Sequence, residues 1–320
     1  MSSRLPPWFR QEIPDPALMF SRKRFFRSLG LHTVCESCRC PNIFDCFKRD
    51  TATFMILGGV CTRECSFCAT EKGLPFGEAG APAPLNEDEP QALVCAVRQL
   101  GLKYVVITSV TRDDLPDGGA KQFALTVTAL KESLAGLKIE VLIPDFQGDS
   151  SSLRKVVDSG PEVINHNLET IARLYPKARP QANYQRSLEL LRMVKQLNPA
   201  LKTKSGLMVG LGEEFAEVVA ALRDLRGADC DILTIGQYLA PSEKHFPVQR
   251  FVPQEDFAKW QTLAGEMGFK QAFCAPLARS SFHAEEVFSA ARSDAVRLSY
   301  AQCGLWGWVV RSVSGCGDEL

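Results

Sequence analysis

Six short apolar runs, rich in β-branched residues, recur along this chain at 53–58, 104–109, 139–143, 163–167, 204–209 and 232–236. Helical patterns lie between or after them. Within 215–225, Phe215, Val218, Val219, Leu222 and Leu225 recur at helical spacing. Asn86, with Glu87, Asp88 and Glu89 behind it, is an acidic start for a helix reaching Leu100. Two more helices are expected over 184–197 and 256–267. Strands that alternate with helices build a parallel sheet through right-handed crossovers. The pattern predicts an α/β fold, a partial TIM barrel of (β/α)6 type. A doubly wound open sheet satisfies it as well. In either, chemistry belongs at the C-terminal ends of the strands.

The barrel is expected over residues 51–270. Residues 1–50 before it read as an irregular extension, rich in Pro, Arg and Phe, that ends in a dense cysteine block. Residues 271–320 form a C-terminal extension, in which Trp306, Trp308, Val309 and Val310 read as a packed tail. Hydrophobic residues make up 45% of the 320, enough for a substantial core. Lys plus Arg is 37 and Asp plus Glu is 37, so bulk electrostatics does not serve a nucleic acid. The N-terminus has Pro6, Pro7, Trp8, Glu12 and Asp15 where a secretion signal needs an apolar core. No apolar run approaches the roughly 20 residues that span a bilayer. The expectation is a cytoplasmic protein with neither nucleic-acid nor membrane partner. Thiols stay reduced there, so its twelve cysteines point to metal or redox chemistry over disulfides.

Two cysteine groups carry the chemistry. Cys61, Cys65 and Cys68 stand in CTRECSFC, in the loop that follows the first predicted strand past Gly58 and Gly59. Three thiolates on one short loop suit three irons of a four-iron cluster and leave the fourth iron open to a reactant. Cys35, Cys40 and Cys46 stand upstream in VCESCRCPNIFDCF, a second incomplete set that implies a second cluster. Cys38 lies inside this set. With Cys35 it makes a C-x-x-C pair that, beside Cys65 and Cys68, imitates a zinc ribbon, although the gap is long for one. Cys38 is read as a bystander; the alternative is that it replaces a neighbour as ligand.

The CTRECSFC spacing, with Phe67 before the last cysteine, resembles that of the radical S-adenosylmethionine superfamily. The two triads in this order resemble the lipoyl synthase family. So do TSVTRDDLPDGGA (108–120), IEVLIPDFQGD (139–149), NHNLET (165–170), SGLMVGLGE (205–213) and LTIGQYLAPSEKHFPVQRFV (233–252), and the likeness covers nearly the whole chain. It implies two 4Fe-4S clusters and S-adenosyl-L-methionine, whose amino and carboxylate groups chelate the open iron of the first cluster. It further implies a sulfurtransferase that inserts sulfur at C6 and C8 of a protein-bound octanoyl-lysine, with the auxiliary cluster as sulfur donor. The implied partners are an octanoylated lipoyl-carrier protein (a lipoyl domain or the glycine cleavage H protein) and a ferredoxin or flavodoxin. The family's Arg-Ser-Ser-Tyr motif is similar to RSSFHA, from Arg279 to Ala284, which makes Ser281 the implied fourth ligand of the auxiliary cluster. Phe282 departs from the family's tyrosine, and Cys38 from its usual non-cysteine residue.

Around the cofactor, Asn167 and Glu169 end a strand and suit its ribose hydroxyls or amino group. Arg179 suits its carboxylate. Gly118 and Gly119 permit close backbone approach. Gln237 and Tyr238 end the sixth strand and suit the adenine. Each of these residues alone is equally well a structural hydrogen-bonding residue. His32, His166, His245 and His283 show no metal-ligand spacing, and His166 reads as structural. Cys95, Cys230, Cys274, Cys303 and Cys316 read as small apolar residues.

Overall fold

The computed structural model describes residues 5–9, 11, 15–75 and 84–291. The tail around Trp306, together with Cys303 and Cys316, lies outside them. The chain opens with α1 (Pro16–Ser28), β1 (His32–Thr33), α2 (Val34–Ser37) and α3 (Ile43–Lys48). Then come β2 (Thr53–Ile56), β3 (Val60–Cys61), β4 (Glu71–Lys72), α4 (Glu89–Leu100), β5 (Tyr104–Ser109) and α5 (Ala120–Ser133). They are followed by β6 (Lys138–Leu142), α6 (Ser150–Asp158), β7 (Val163–Asn165), α7 (Tyr175–Ala178), α8 (Tyr184–Leu197) and β8 (Lys202–Val209). The last are α9 (Phe215–Gly227), β9 (Ile232–Gln237), α10 (Gln254–Glu266), β10 (Gln271–Cys274) and α11 (Ala284–Ala290).

All six apolar runs contain strands. The main sheet runs β1-β2-β5-β6-β7-β8-β9-β10, with β1 antiparallel and the rest parallel. The parallel strands follow chain order without a reversal, which excludes the doubly wound alternative. Helix α11 packs against both β5 and β10, strands far apart in that order. One helix can touch both only if the sheet curls towards closure, so the architecture is a partial TIM barrel. Phe288 of α11 meets Tyr104 of β5 with ring centroids 5.4 Å apart. Below the site, Glu140 holds Lys204 at 3.0 Å, Tyr104 at 2.7 Å and Asn165 at 3.1 Å, so this buried charge is paired.

Two features depart from the sequence reading. β10 is a seventh parallel strand; its residues, Gln-Ala-Phe-Cys, include no β-branched side chain. The N-terminal extension is helical over much of its length. Asp15 caps α1 by accepting from the Ala17 N–H at 2.9 Å, and Pro16 takes the first helical position, where its missing N–H costs nothing. Phe26 of α1 is buried against Phe47 (5.7 Å) and Phe54 (5.6 Å), which anchors the extension on β2.

The segment after β10 runs along the inner face of the barrel. Gly206 and Gly236 make room for it. A Cβ at Gly206 would lie 2.5 Å from Ser280 Oγ, and one at Gly236 would strike the Ala278 carbonyl and lie 2.8 Å from Arg279 Nη1. Among the described residues, no helix is long and apolar enough to cross a membrane.

Candidate cluster and cofactor site

Residues 61–68 leave β3 at the C-terminal end of the barrel and are tied down on several sides. Thr62 N–H donates to the Thr111 carbonyl at 3.0 Å, and the Asp113 N–H donates to Thr62 Oγ1 at 3.0 Å. Ser66 N–H donates to the Ala178 carbonyl at 2.9 Å, and Phe246 N–H donates to the Ser66 carbonyl at 2.9 Å. Arg63, 4% exposed, is the buried clamp: it makes two bonds to Asp113, at 2.6 and 2.9 Å, and pairs with Asp145. Arg186 reaches the other Asp145 oxygen at 3.2 Å. Burial alone would raise the Asp145 carboxyl, but the bond and charge of Arg63 prevail and hold it down to about 2. The backbone amide of Thr111 points at Cys61 Sγ, 3.4 Å away.

The thiols on this loop are half-buried and influence one another. Burial pushes Cys65 up to about 11, against the pull of Arg179, and Cys68 and Cys61 raise it further. Cys68 is lowered by hydrogen bonding to Cys38, whose sulfur lies 4.0 Å away, and to Thr70 at 3.3 Å. Half-buried thiols on a braced loop, with a backbone N–H aimed at one sulfur and a hydroxyl 3.3 Å from another, fit the demands of a thiolate-held iron–sulfur cluster.

The second triad meets the C-terminal motif. Burial and the neighbouring Cys40 push Cys35 up to about 12, and Cys46 is raised by burial and then by Cys35 and Cys40. Asn42, 1% exposed, donates to the Leu277 carbonyl at 2.7 Å. Arg49 reaches His283 Nδ1 at 3.1 Å, and Cys46 packs against the apolar cluster that includes Phe282, Phe273 and Ala278. Phe282 is buried there, with its ring centroid 4.1 Å from that of His283 and 6.5 Å from that of Phe273. The Ser280 hydroxyl donates to Asn167 Oδ1 at 2.7 Å, whereas the Ser281 hydroxyl makes no hydrogen bond to a described residue.

Asn167 also donates to Glu169 Oε1 at 3.0 Å. Glu169 has a left-handed backbone (φ 67°), an uncommon conformation for such a residue, held by Glu169 N–H to the Gly206 carbonyl at 2.9 Å. Burial raises the Glu169 carboxyl, opposed by Arg179 and Asn167. Arg179 donates to the Asn167 and Leu168 carbonyls at 2.9 and 3.3 Å, stacks over Tyr175, and keeps a buried Nε with no partner among the described residues. Burial works against its charge, but Tyr175, Glu169 and Cys65 outweigh that and raise it. Tyr238 donates to the Phe246 carbonyl at 2.8 Å, and burial, then the charge of Cys68, raises its phenol. Gln237 spends its side chain on the Tyr238 and Arg250 carbonyls and the Val252 N–H, so it braces the wall. The close approaches at Gly118 and Gly119 are those of Phe146 and Leu57.

The chain matches the radical SAM superfamily over residues 55–225. It is 50% identical to the lipoyl synthase of Caldanaerobacter subterraneus over 292 residues, 91% of this chain and all of that one. It is likewise 50% identical to the lipoyl synthase of Aquifex aeolicus over 275 residues, 85% of this chain and 97% of that one. The chain belongs to the lipoyl synthase family. Among solved structures, the radical-enzyme fold is shared by HydG, a hydrogenase maturase (TM-score 0.53, 16% identity, 74% of this chain, 53% of that one). Methylornithine synthase shares it too (TM-score 0.51, 19% identity, 68% and 62%).

As a lipoyl synthase family member the chain is a radical SAM sulfurtransferase, with a 4Fe-4S cluster and S-adenosylmethionine as its cofactors. Around this site the sequence reading missed Arg63, Asp113, Asp145, Asn42 and Ser280. Arg63 sits inside the CTRECSFC run itself, and an arginine between cluster cysteines is a signal that could have found it. Asn42 and Ser280 give no local signal, because their partners lie 235 and 113 residues away. Cys230 and Cys274 are buried as expected, but Cys95 is exposed on α4. His166 is buried, with Nδ1 2.8 Å from the Ile143 carbonyl and Nε2 3.0 Å from Ser187 Oγ.

Proposed function

We propose that this lipoyl synthase acts on an octanoyl chain held as an amide on a carrier lysine, in a lipoyl domain or the glycine cleavage H protein. In the overall reaction one C–H bond at C6 and one at C8 give way to C–S bonds. The observation that supports the reading is the approach of the upstream cysteine block to the 61–68 loop. Cys38, from the upstream block, reaches within 4.0 Å of Cys68, and Arg279 senses both Cys40 and Glu169.

Cys61, Cys65 and Cys68 would hold the radical cluster. Cys35, Cys40 and Cys46, with the oxygen of Ser281, would hold an auxiliary one. When bound, the first supplies the electron that splits S-adenosylmethionine to a hydrogen-abstracting radical, and the second supplies sulfide. The chain's own part is positioning and dryness. Asn167 and Glu169 present polar atoms to the cofactor, and Arg179 keeps their turn in shape while its free Nε faces the carboxylate. Gly118 and Gly119 let Phe146 and Leu57 close the wall behind the cluster loop. Tyr238 lines the adenine side, and Gln237 supports it from behind. As a ligand Ser281 would offer a hard oxygen donor beside soft sulfur, easily lost on protonation. That lability suits a cluster that is consumed. The described cysteines are all free thiols, which suits a reducing cytoplasm and an electron supply from a ferredoxin or flavodoxin.

The test is anaerobic incubation of the reconstituted full chain with an octanoyl-lysine peptide, reductant and S-adenosylmethionine. The peptide should gain two sulfur atoms by mass. An unchanged peptide, or protein that carries zinc without sulfide, would overturn the reading.

A further inference from the structure

Cys38 is a fourth cysteine in a block where three serve the proposed cluster. It caps the C-terminal end of α2, its N–H bonded to the Val34 carbonyl at 2.9 Å. From there its side chain crosses to the other cysteine loop. Cys38 Sγ lies 4.0 Å from Cys68 Sγ, and the Thr70 hydroxyl lies 3.3 Å from each of the two sulfurs. Thr70 is only 7% exposed, so the three groups form a sheltered triangle. A disulfide has an S–S length of about 2.05 Å. Each sulfur therefore has about 1 Å to travel, within reach of a modest side-chain rotation. Thirty residues separate the two cysteines in sequence, so only the docking of the N-terminal block makes them neighbours.

We propose that Cys38 and Cys68 close into a reversible disulfide when the cluster leaves the loop, and that this bond caps Cys68 against irreversible oxidation. The idea rests on Cys68 being a cluster ligand. The oxidant is a hydroperoxide. One thiol takes an oxygen from hydrogen peroxide and becomes a sulfenic acid, and a first water is released. The second sulfur then attacks the sulfenic sulfur. The S–S bond forms, the S–O bond breaks, and the hydroxide leaves as a second water with the proton of the attacking thiol. Two electrons pass from the thiols to the peroxide. The Thr70 hydroxyl touches both sulfurs and can relay that proton. Without Cys38, the sulfenic acid at Cys68 would lack the sulfur that lies 4.0 Å from it and would go on to the sulfinic and sulfonic acids, which no thiol reductant reverses. A disulfide at the same place returns to two thiols on reduction, and the loop can then be reloaded.

The experiment uses the full chain, loaded anaerobically with iron and sulfide and then exposed to hydrogen peroxide. Cysteine peptides are mapped by mass spectrometry without reduction. The expected result is a Cys38–Cys68 linked peptide, two hydrogens lighter than its separate halves, that disappears with dithiothreitol. After reduction and reloading, the wild type should regain its iron. Cys38→Ala should load as much iron as wild type before peroxide. After it, this variant should carry Cys68 sulfinic or sulfonic acid and lose about half of its reloadable iron, one cluster of two. Absence of the linked peptide would overturn the proposal, as would equal iron recovery in both proteins. A Cys38→Ala variant that loads less iron from the start would make Cys38 a ligand and overturn it too. Cys68→Ala, loaded without peroxide, tests the assignment underneath. Full iron in that variant removes Cys68 from the cluster, and the capping role falls with it even if the linked peptide forms.

Discussion

Ser280 donates its hydroxyl to Asn167 Oδ1 at 2.7 Å and so joins two residues 113 positions apart. The bond crosses the barrel interior beside Gly206, whose missing side chain leaves the space for it. It links the turn proposed to hold the cofactor with the motif proposed to hold the auxiliary cluster. It also separates the two adjacent serines: one is occupied and the other makes no side-chain hydrogen bond to a described residue.

This division predicts different phenotypes for the pair. Ser280→Ala should keep the full iron content but weaken S-adenosylmethionine binding several-fold, since a lost hydrogen bond costs about 1 kcal/mol. Ser281→Cys should also keep its iron, while product formation stalls because a thiolate is harder to displace. Iron analysis of both variants, equilibrium binding and peptide mass check these outcomes. Normal product from Ser281→Cys would remove that serine from the mechanism.

The inner-face glycines predict a steric phenotype. In Gly236→Ala the new methyl meets the Ala278 carbonyl, so the 278–281 segment must shift. Overpacking of this kind costs about 1–3 kcal/mol. The melting temperature should fall, with loss of iron from the auxiliary site and retention at the radical site. Mössbauer spectroscopy of the loaded protein reads the two separately.

Arg63 predicts a loop phenotype. Its removal leaves the Asp145 carboxylate, which is wholly buried, with the half-buried Arg186 as its paired cation and the Gln147 N–H at 3.1 Å. Breaking a buried pair costs about 3–5 kcal/mol. Arg63→Met should therefore unfold in less urea and load the radical cluster poorly. Lysine should rescue little, because it cannot make the two parallel bonds to Asp113. An unfolding midpoint equal to that of wild type would show that the clamp is dispensable.

His166 predicts a pH dependence. Burial first, then the charge of Arg179, lowers its imidazole to about 4, against an ordinary 6.5. Below pH 6.5 the unfolded chain takes up the proton and the folded one does not, so acid favours unfolding until the pH passes the folded value. The loss is about 2 kcal/mol by pH 5. Urea titrations between pH 7 and 5 should show it in wild type and not in His166→Asn. Equal slopes in the two proteins would refute it.

Much of the fold could be read along the chain because its signals are local. A β-branched run of six residues, a helical stripe such as Phe215 to Leu225, and a cysteine spacing each depend on near neighbours in sequence. That is why the strands and the helices over 184–197 and 215–225 were legible, and why the cysteine spacing pointed to the radical SAM superfamily. The short β10 was not, since four residues without β-branching carry almost no such signal. Nor was α1, whose arginines mask the buried stripe around Phe26.

The sequence by itself determined the chemistry available: two sets of thiols, an alternating α/β scaffold, and the Arg-Ser-Ser motif downstream. Only the tertiary structure decided which of these groups meet. It set Cys38 against Cys68, gave Asn167 to Ser280, and turned Gln237 towards the wall. Those choices depend on how the barrel curls and on which inner-face positions lack a side chain. Contacts of that kind belong to the cooperative packing of the whole chain, and no short stretch of residues encodes them.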